Sequence, residues 1–166
     1  HKTVEVVGPV IGTDDPDLSA FQARGGKLLM YHGWSDNLIM PQGTVRYYDR
    51  MVETLGGGYA GVGQFAKLFM VPGMGHCGGG DGPNQFGQGS SGAVAADADH
   101  DIFRALMAWS EHGTGPQKLI ATKFNGNDPE QGMDRTRPLY SCPGVAQFPQ
   151  ELQARRVVGD LVVLRV

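Results

Sequence analysis

The sequence lacks any long apolar run and any block of basic residues. Its apolar stretches fall well short of the ~18 residues of a membrane-spanning helix, so no membrane association is expected. With 14 basic and 17 acidic residues, the net charge is -3, which argues against nucleic acid as a partner. At 40% hydrophobic and 19% charged residues, the composition is that of one globular domain, which we assign to residues 1–166.

Metal-binding and phosphate-binding patterns are also missing. The sequence has no CxxC and no HxxxH, and the run Gly78–Gly82 has neither the lysine nor the Ser/Thr of a Walker motif. A metal site built from His32, Asp36, His76 and Cys77 is therefore a weak alternative. We expect neither a cofactor nor a metal.

Cysteine is scarce, whereas glycine is abundant. Cys77 and Cys142 by themselves do not fix the redox compartment. Many of the 26 glycines lie between Gly56 and Gly92, which predicts long, tightly turning loops there. The chain begins at His1 with neither an initiator methionine nor a signal peptide, so a mature product, a trimmed chain and a fragment all stay open.

Apolar runs alternate with stretches of helical spacing. Short apolar runs predict strands at Lys27–Tyr31, Ala66–Val71 and Lys118–Phe124, the first two buried on both faces. One helix is predicted from Pro41 to a stop at Gly56, and another from a cap at Asp99 to Gly113. The second helix has one predicted apolar face, formed by Ile102, Phe103, Leu106, Met107 and Trp109. The order strand–helix–strand–helix predicts an α/β fold with parallel strands.

The flanking segments are less regular. Val4–Val7 is predicted to be extended, and Asp17 to cap a short helical turn through Phe21. The Val- and Leu-rich residues 155–166 are a further strand candidate.

Each of the first two strands is followed by a residue that a serine hydrolase needs. Asp36 follows the first strand and His76 the second, on a glycine-flanked turn. Functional groups gather at the carboxyl ends of parallel strands, so these two side chains can meet. A histidine held by a carboxylate is the base of a serine esterase. The alternatives stay open that Asp36 only forms a turn and that His76 is solvated, and His32 is predicted to be structural, bonded to backbone.

The serine of such a triad is missing. In α/β-hydrolases the order is serine, acid, histidine, so the serine is expected before Asp36. No G-x-S-x-G elbow occurs in residues 1–35; Ser19 and Ser35 lack its surroundings, and Ser90 follows no strand. Three hypotheses remain: an esterase whose serine lies outside this chain, an inert α/β module that binds or assembles, and a self-sufficient esterase using Ser35 or Ser90.

Several motifs within residues 14–145 are similar to those of a known family. The motifs are Asp17–Phe21, Gly25–Asp36, Pro41–Thr44, Tyr47–Tyr48, Phe69–Cys77, Gly82–Pro83, Ala108–Trp109 and Leu119–Ala121. Together they resemble the tannase and feruloyl esterase family of serine hydrolases. The resemblance implies the C-terminal portion of an α/β-hydrolase fold, with an incomplete sheet and without the lid domain and the nucleophile segment.

The resemblance also implies roles for individual residues. Asp36 would be the triad acid, His76 the general base, and Cys77 half of a disulfide whose partner lies outside this chain. The implied substrate is a small aromatic ester, of a phenolic acid such as gallate or ferulate, hydrolysed without a cofactor. The disulfide implies an oxidising compartment, hence a secreted or periplasmic protein.

The resemblance weakens toward the C-terminus. Cys142 is similar to a cysteine that pairs locally in some members, but no local partner exists here, and the tail beyond about Pro149 no longer resembles the family. An incomplete sheet exposes an edge, which predicts self-association or pairing with the missing N-terminal portion.

Overall fold

The computed structural model describes residues 2–89 and 92–144; the predicted strand at 155–166 lies outside this part. In chain order the elements are α1 (Lys2–Ile11), α2 (Ser19–Ala23), β1 (Leu28–Gly33), α3 (Pro41–Leu55), α4 (Gly58–Val62), β2 (Ala66–Val71), α5 (Ile102–His112), β3 (Lys118–Phe124), two 3₁₀ turns (Asn125–Asn127 and Pro129–Gln131) and β4 (Met133–Tyr140). None of the described helices is long and apolar enough to cross a membrane.

Strands β1 and β2 form the predicted parallel pair, aligned along their whole length. Alternate residues of β2 enter two apolar clusters: Ala66 and Leu68 pack with α3 and α4, and Phe69 and Val71 pack with α5, β3 and β4. β2 is thus buried on both faces, as predicted. The same prediction is wrong for β1: its residues Leu28–His32 are only half-buried, because β2 is the one strand that borders β1 in the described ranges.

Helix α3 begins and ends where the sequence predicts. Pro41 occupies its first turn, and Gly56, with a φ of 70°, ends it. Tyr48 and Met51 are fully buried against α4 and β2. This packing holds α3 against the parallel pair.

Helix α5 differs from the prediction in its cap and in its buried face. Asp101, not Asp99, caps it, because the Asp101 carboxylate accepts two first-turn amides at 2.8 and 3.2 Å. The buried residues of α5 are Ile102, Ala105 and Trp109. Phe103 and Met107 are 61% and 54% exposed, since residues four apart share one helix face and this face is turned away from the buried one.

The third predicted strand is present, but its pairing was not predicted. β3 pairs with β4 in an antiparallel hairpin. The sequence of β4 contains three charged residues and Pro138, which are features of an edge strand and not of an apolar run. The hairpin joins the parallel pair through a bridge between Phe69 and Ser141.

The N-terminal segment also departs from the prediction. Val4–Val7, expected to be extended from its β-branched residues, is part of α1, and none of the α1 residues is buried. Strand propensity is weak where no buried face selects a conformation. A short helix follows Asp17, as predicted, but Leu18 and not Asp17 occupies its N-cap. Asp17 lies one residue earlier, where its Oδ1 accepts the amide of Ser19 at 3.0 Å.

Candidate active site

The loops that follow β1 and β2 are joined by backbone hydrogen bonds. The amide of Trp34 donates to the carbonyl of Val71 at 2.9 Å, and the amide of Ser35 donates to that of Met74 at 3.0 Å. Gly33 permits this approach, because a Cβ there would lie 2.2 Å from the Met74 oxygen. Side chains that follow one strand therefore reach those that follow the other.

Asp36 lies at this junction with a side chain that is only 3% exposed. Its Oδ1 accepts the amides of Leu38 and Ile39 at 2.9 and 3.0 Å, and its Oδ2 accepts Nδ1 of His76 at 2.9 Å. The bond from the Ile39 amide is the main cause that holds the pKa of Asp36 well below its usual range. The bonds from His76 and Leu38 act in the same direction, and burial acts against them. Asp36 is therefore ionised at neutral pH.

The hydrogen bond of His76 to Asp36 leaves its other ring nitrogen, Nε2, without a hydrogen-bond partner among the described residues. Because a carboxylate only accepts hydrogen bonds, Nδ1 of His76 carries the proton and the neutral ring keeps a lone pair on Nε2. The His76 side chain is 43% exposed. Nε2 can therefore take a proton from a hydroxyl group brought to this side of the ring.

The loop that carries His76 is folded back on itself by glycines. Gly73 has a φ of 74°, a Cβ there would lie 2.7 Å from the nitrogen of Gly82, and the Gly82 amide donates to the Gly73 carbonyl at 3.0 Å. Cys77 has a φ of 59°, in the left-handed region that residues other than glycine seldom adopt. Its side chain is exposed, so the turn presents His76 and Cys77 outward together.

The same loop is hydrogen-bonded to the β3–β4 hairpin by three side chains that we call the loop clamp: Asn84, Lys123 and Asn127. Buried Lys123 donates to the carbonyl of Gly80 and, at 2.5 Å, to Oδ1 of Asn127. Asn84 donates from Nδ2 to the same Oδ1 at 2.8 Å and to the carbonyl of Gly82 at 2.9 Å. The clamp was not predicted, because its members are ordinary polar residues far apart in the sequence.

A second histidine reaches Asp36. Nε2 of His32 lies 3.2 Å from the carbonyl of Ile39, in agreement with the backbone bonding predicted for it, but also 3.1 Å from Oδ2 of Asp36. Its Nδ1 lies 2.7 Å from Oγ1 of Thr44, in the first turn of α3. One sequence signal could have indicated the contact between His32 and Asp36. His32 lies four residues before Asp36, and the end of β1 falls between them.

The serine and cysteine candidates form no hydrogen bond with the side chains of Asp36 and His76 in the described ranges. Ser35 is exposed, and no serine hydroxyl in the described ranges is bonded to His76; Ser90 lies outside them. Cys77 is exposed and Cys142 is half-buried, and the two are not joined to each other. The described residues thus bring together the predicted acid and base and no nucleophile.

The metal alternative has no support from this geometry. Both His32 and His76 direct a nitrogen at Oδ2 of Asp36, so these nitrogens serve hydrogen bonds. Across residues 2–89 and 92–144, no group of three or more His, Cys, Asp or Glu has an arrangement that could hold a metal ion.

The described fold defines the class of this protein, a mixed α/β protein with a small parallel sheet and flanking helices. Comparison with known proteins shows to which family of this class the chain belongs. The family described as "Tannase and feruloyl esterase" matches residues 1–158, a longer range than the motifs alone indicate. The chain belongs to the tannase and feruloyl esterase family.

Individual relatives are esterases and hydrolases. An uncharacterized esterase of Xanthomonas campestris is 40% identical over 145 residues, which are 81% of this chain and 25% of the relative. Mono(2-hydroxyethyl) terephthalate hydrolase of Piscinibacter sakaiensis is 38% identical over 138 residues, 82% of this chain and 20% of that protein. The crystal structure of feruloyl esterase B from Aspergillus oryzae matches with a TM-score of 0.72 and 30% identity, over 78% of this chain and 25% of that one. The chain thus spans about a quarter or less of the length of these relatives.

Proposed function

We propose that this chain supplies the acid and the base of a serine carboxylesterase that acts on esters of aromatic acids. The 2.9 Å contact between Nδ1 of His76 and Oδ2 of Asp36, made by a histidine side chain that is 43% exposed, carries this proposal. Family membership supports the reaction class.

In the proposed mechanism, Nε2 of His76 takes the proton of a serine hydroxyl as its oxygen attacks the ester carbonyl carbon. Asp36 holds the Nδ1 proton and stabilises the imidazolium. The imidazolium returns the proton to the leaving alcohol as the tetrahedral intermediate collapses to an acyl-enzyme. His76 then deprotonates a water molecule that attacks the acyl carbon, and it returns the proton to the serine oxygen as the acyl–serine bond breaks and the acid leaves. We assign the serine and the oxyanion donors to sequence outside this chain.

An aromatic acyl group is the proposed substrate class for two reasons. The named relatives include a feruloyl esterase and a terephthalate hydrolase, and both names contain an aromatic acid. The acid loop also exposes a local apolar surface beside Asp36, with Trp34, Leu38 and Ile39 at 42%, 69% and 57% exposure. Such a surface favours a flat apolar group over a sugar or a charged one.

Cys77 is the proposed covalent link to the rest of the enzyme. It directly follows the base, is exposed, and is held in a left-handed conformation by its turn. A disulfide from Cys77 to a cysteine outside this chain would fix the histidine loop relative to the nucleophile. Such a bond persists in oxidising compartments, so the proposal includes a secreted or periplasmic location.

The free edge of β1 is the proposed docking edge for the missing part of the sheet. β1 has one strand neighbour in the described part of the chain, and Leu28–His32 are half-buried although apolar residues predominate there. An open edge can take a strand from the N-terminal portion or, in its absence, from a second copy. We therefore expect the isolated chain to self-associate. A monodisperse monomer at high concentration in light scattering would contradict this expectation.

A chimera tests the esterase proposal. In feruloyl esterase B of Aspergillus oryzae, the matching quarter would be replaced by this chain, and the folded chimera assayed with a p-nitrophenyl ester and with methyl ferulate. Activity should fall about 10⁴-fold in Asp36→Asn, which inverts the tautomer of His76, and by a similar factor in His76→Gln. Asp97→Asn is the matched control, because Asp97 forms an equivalent exposed pair with His100 at 2.8 Å and should leave activity unchanged.

The isolated chain provides the complementary test. It should neither label with a fluorophosphonate probe nor hydrolyse the p-nitrophenyl ester. Labelling of a serine that disappears in His76→Ala would instead support a self-sufficient esterase. A chimera that folds but has no activity would contradict the proposed function and leave the inert module as the interpretation.

A further inference from the structure

We propose that His32 and Thr44 form a positioning pair that fixes the Asp36 carboxylate for His76. The inference rests on the proposed function for the meaning of the Asp36–His76 pair. The geometry of the pair is independent of that function, because the contacts of His32 with Thr44 and Asp36 all lie within the described residues. His32 is the penultimate residue of β1, and Thr44 lies in the first turn of α3.

The two partners of His32 Nε2 determine where its proton is. Oδ2 of Asp36 lies at 3.1 Å and the carbonyl oxygen of Ile39 at 3.2 Å. A carboxylate and a carbonyl both accept and neither donates, so Nε2 must carry the proton and share it between them. This tautomer binds the carboxylate of Asp36 and the end of the loop, Ile39, at the same time.

Thr44 selects the same tautomer from the other side of the ring. Its Oγ1 lies 2.7 Å from Nδ1 of His32. In the neutral ring with Nε2 protonated, Nδ1 is an acceptor, and a hydroxyl rotates to donate to it. Because Pro41 and the buried Tyr48 hold α3 in place, Thr44 is a fixed reference point for the ring.

The consequence is a carboxylate with hydrogen bonds on both oxygens. Oδ1 of Asp36 accepts the amides of Leu38 and Ile39, and Oδ2 accepts one N–H from each histidine. Without His32, Oδ2 would be restrained by His76 alone. The orientation of the base would then depend on an oxygen that no other group holds.

Exposure distinguishes the roles of the two histidines. The side chain of His32 is 12% exposed and both its nitrogens are engaged, whereas that of His76 is 43% exposed and only its Nδ1 is bonded within the described residues. His32 cannot reach a substrate and act as the base. It acts on the reaction through Asp36.

Nitrogen-15 NMR of the histidine rings tests the proposal on the chain itself. In the wild type, His32 should be the tautomer with Nε2 protonated and Nδ1 unprotonated. Thr44→Val keeps the shape but removes the donor to Nδ1 of His32, so it should shift the Nδ1 resonance of that ring and give faster solvent exchange of the His76 Nδ1 proton. Thr44→Ser keeps the hydroxyl and should retain the wild-type spectrum. A wild-type His32 protonated on Nδ1, or identical spectra for the Val and Ser variants, would overturn the proposal.

Activity of the chimera gives a second readout. His32→Phe removes all three hydrogen bonds of the ring and should lower kcat about tenfold to a hundredfold with KM within about twofold, because the base is misplaced while the binding surface is intact. His32→Gln can return an N–H to the Nε2 position and should recover part of the loss. Unchanged kcat in both His32→Phe and Thr44→Val would overturn the positioning role. An inactive wild-type chimera would instead count against the proposed function, while the NMR experiment would still decide the positioning pair.

Discussion

Gly33 and Met74 meet where the two parallel strands end, since a Cβ on Gly33 would lie 2.2 Å from the Met74 carbonyl oxygen. The same oxygen accepts the amide of Ser35 at 3.0 Å. The loops that carry Asp36 and His76 are thus in contact through backbone atoms. A side chain at position 33 would have to force them apart.

Gly33→Ala is therefore expected to destabilise the chain by about 1–3 kcal/mol through overpacking. Urea unfolding of the purified chain measures this. Gly43→Ala is the matched control, because an added Cβ there has no atom within 4 Å and the residue lies in α3. Alanine in a helix is favoured by about 1 kcal/mol over glycine, so the control should be neutral or stabilising. Equal unfolding midpoints for the two variants would show that the close approach at Gly33 is unimportant.

Sequence patterns are sufficient to predict the secondary-structure elements next to Asp36 and His76. The apolar runs before Asp36 and His76 are β1 and β2, and Pro41 and Gly56 bound α3, because these signals are local and each acts within a few residues. The proximity of Asp36 and His76 follows from the parallel arrangement of β1 and β2, which the strand–helix–strand order implies.

The features that sequence analysis missed depend on residues distant in the chain. β4 has no apolar run and becomes a strand by pairing with β3. The contact of Thr44 with His32 requires the packed position of α3, and the loop clamp joins Asn84 to the hairpin 43 residues later. Ordinary polar residues give no local signal of such contacts, so only the tertiary structure reveals them.

The lowered pKa of Asp36 predicts a specific loss of stability in acid. Since the folded state holds the proton of Asp36 more weakly than the unfolded chain does, this carboxylate stabilises the fold above its unfolded pKa of about 3.9. The contribution is lost as the pH falls from there through the lower folded pKa. The unfolding midpoints of the wild type and Asp36→Asn should therefore differ most near neutral pH and converge in acid.

The exposed pair of Asp97 and His100 is the control for this titration. A hydrogen bond from His100 also lowers the pKa of Asp97, but both side chains are solvated, so the effect on stability is screened. Asp97→Asn should shift the midpoint much less than Asp36→Asn at neutral pH. A constant difference between the wild type and Asp36→Asn across the whole pH range would refute the linkage.

The two cysteines should differ in reactivity. Cys77 is exposed, whereas Cys142 is half-buried and burial raises the pKa of its thiol, with a smaller contribution from Asp49. The thiolate is the reactive form, so iodoacetamide should alkylate Cys77 of the reduced native chain first. Intact mass followed by peptide mapping measures the order. Cys77→Ser should remove the fast phase and Cys142→Ser should leave it; equal rates at both sites would contradict the prediction.

The loop clamp predicts that Asn127 stabilises the histidine loop from a distance. Oδ1 of Asn127 accepts from both Lys123 and Asn84, so its loss leaves a buried ammonium and a buried amide each without one partner. Asn127 also has a φ of 62°, which asparagine tolerates better than alanine does. Asn127→Ala should destabilise the chain by about 1–3 kcal/mol. Hydrogen exchange should rise most in the segment Gly73–Gly82.

Two further variants separate the hydrogen bonds of Asn127 from its backbone conformation. Asn127→Gly loses Oδ1 but adopts the positive φ freely, so it should still show the faster exchange around His76. Asn127→Asp keeps an oxygen toward Lys123 and should retain most of the protection. If Asn127→Gly were as protected from hydrogen exchange as the wild type, the destabilisation by Asn127→Ala would come from the strained φ of alanine alone. The connection between the hairpin and the base would then not depend on these hydrogen bonds.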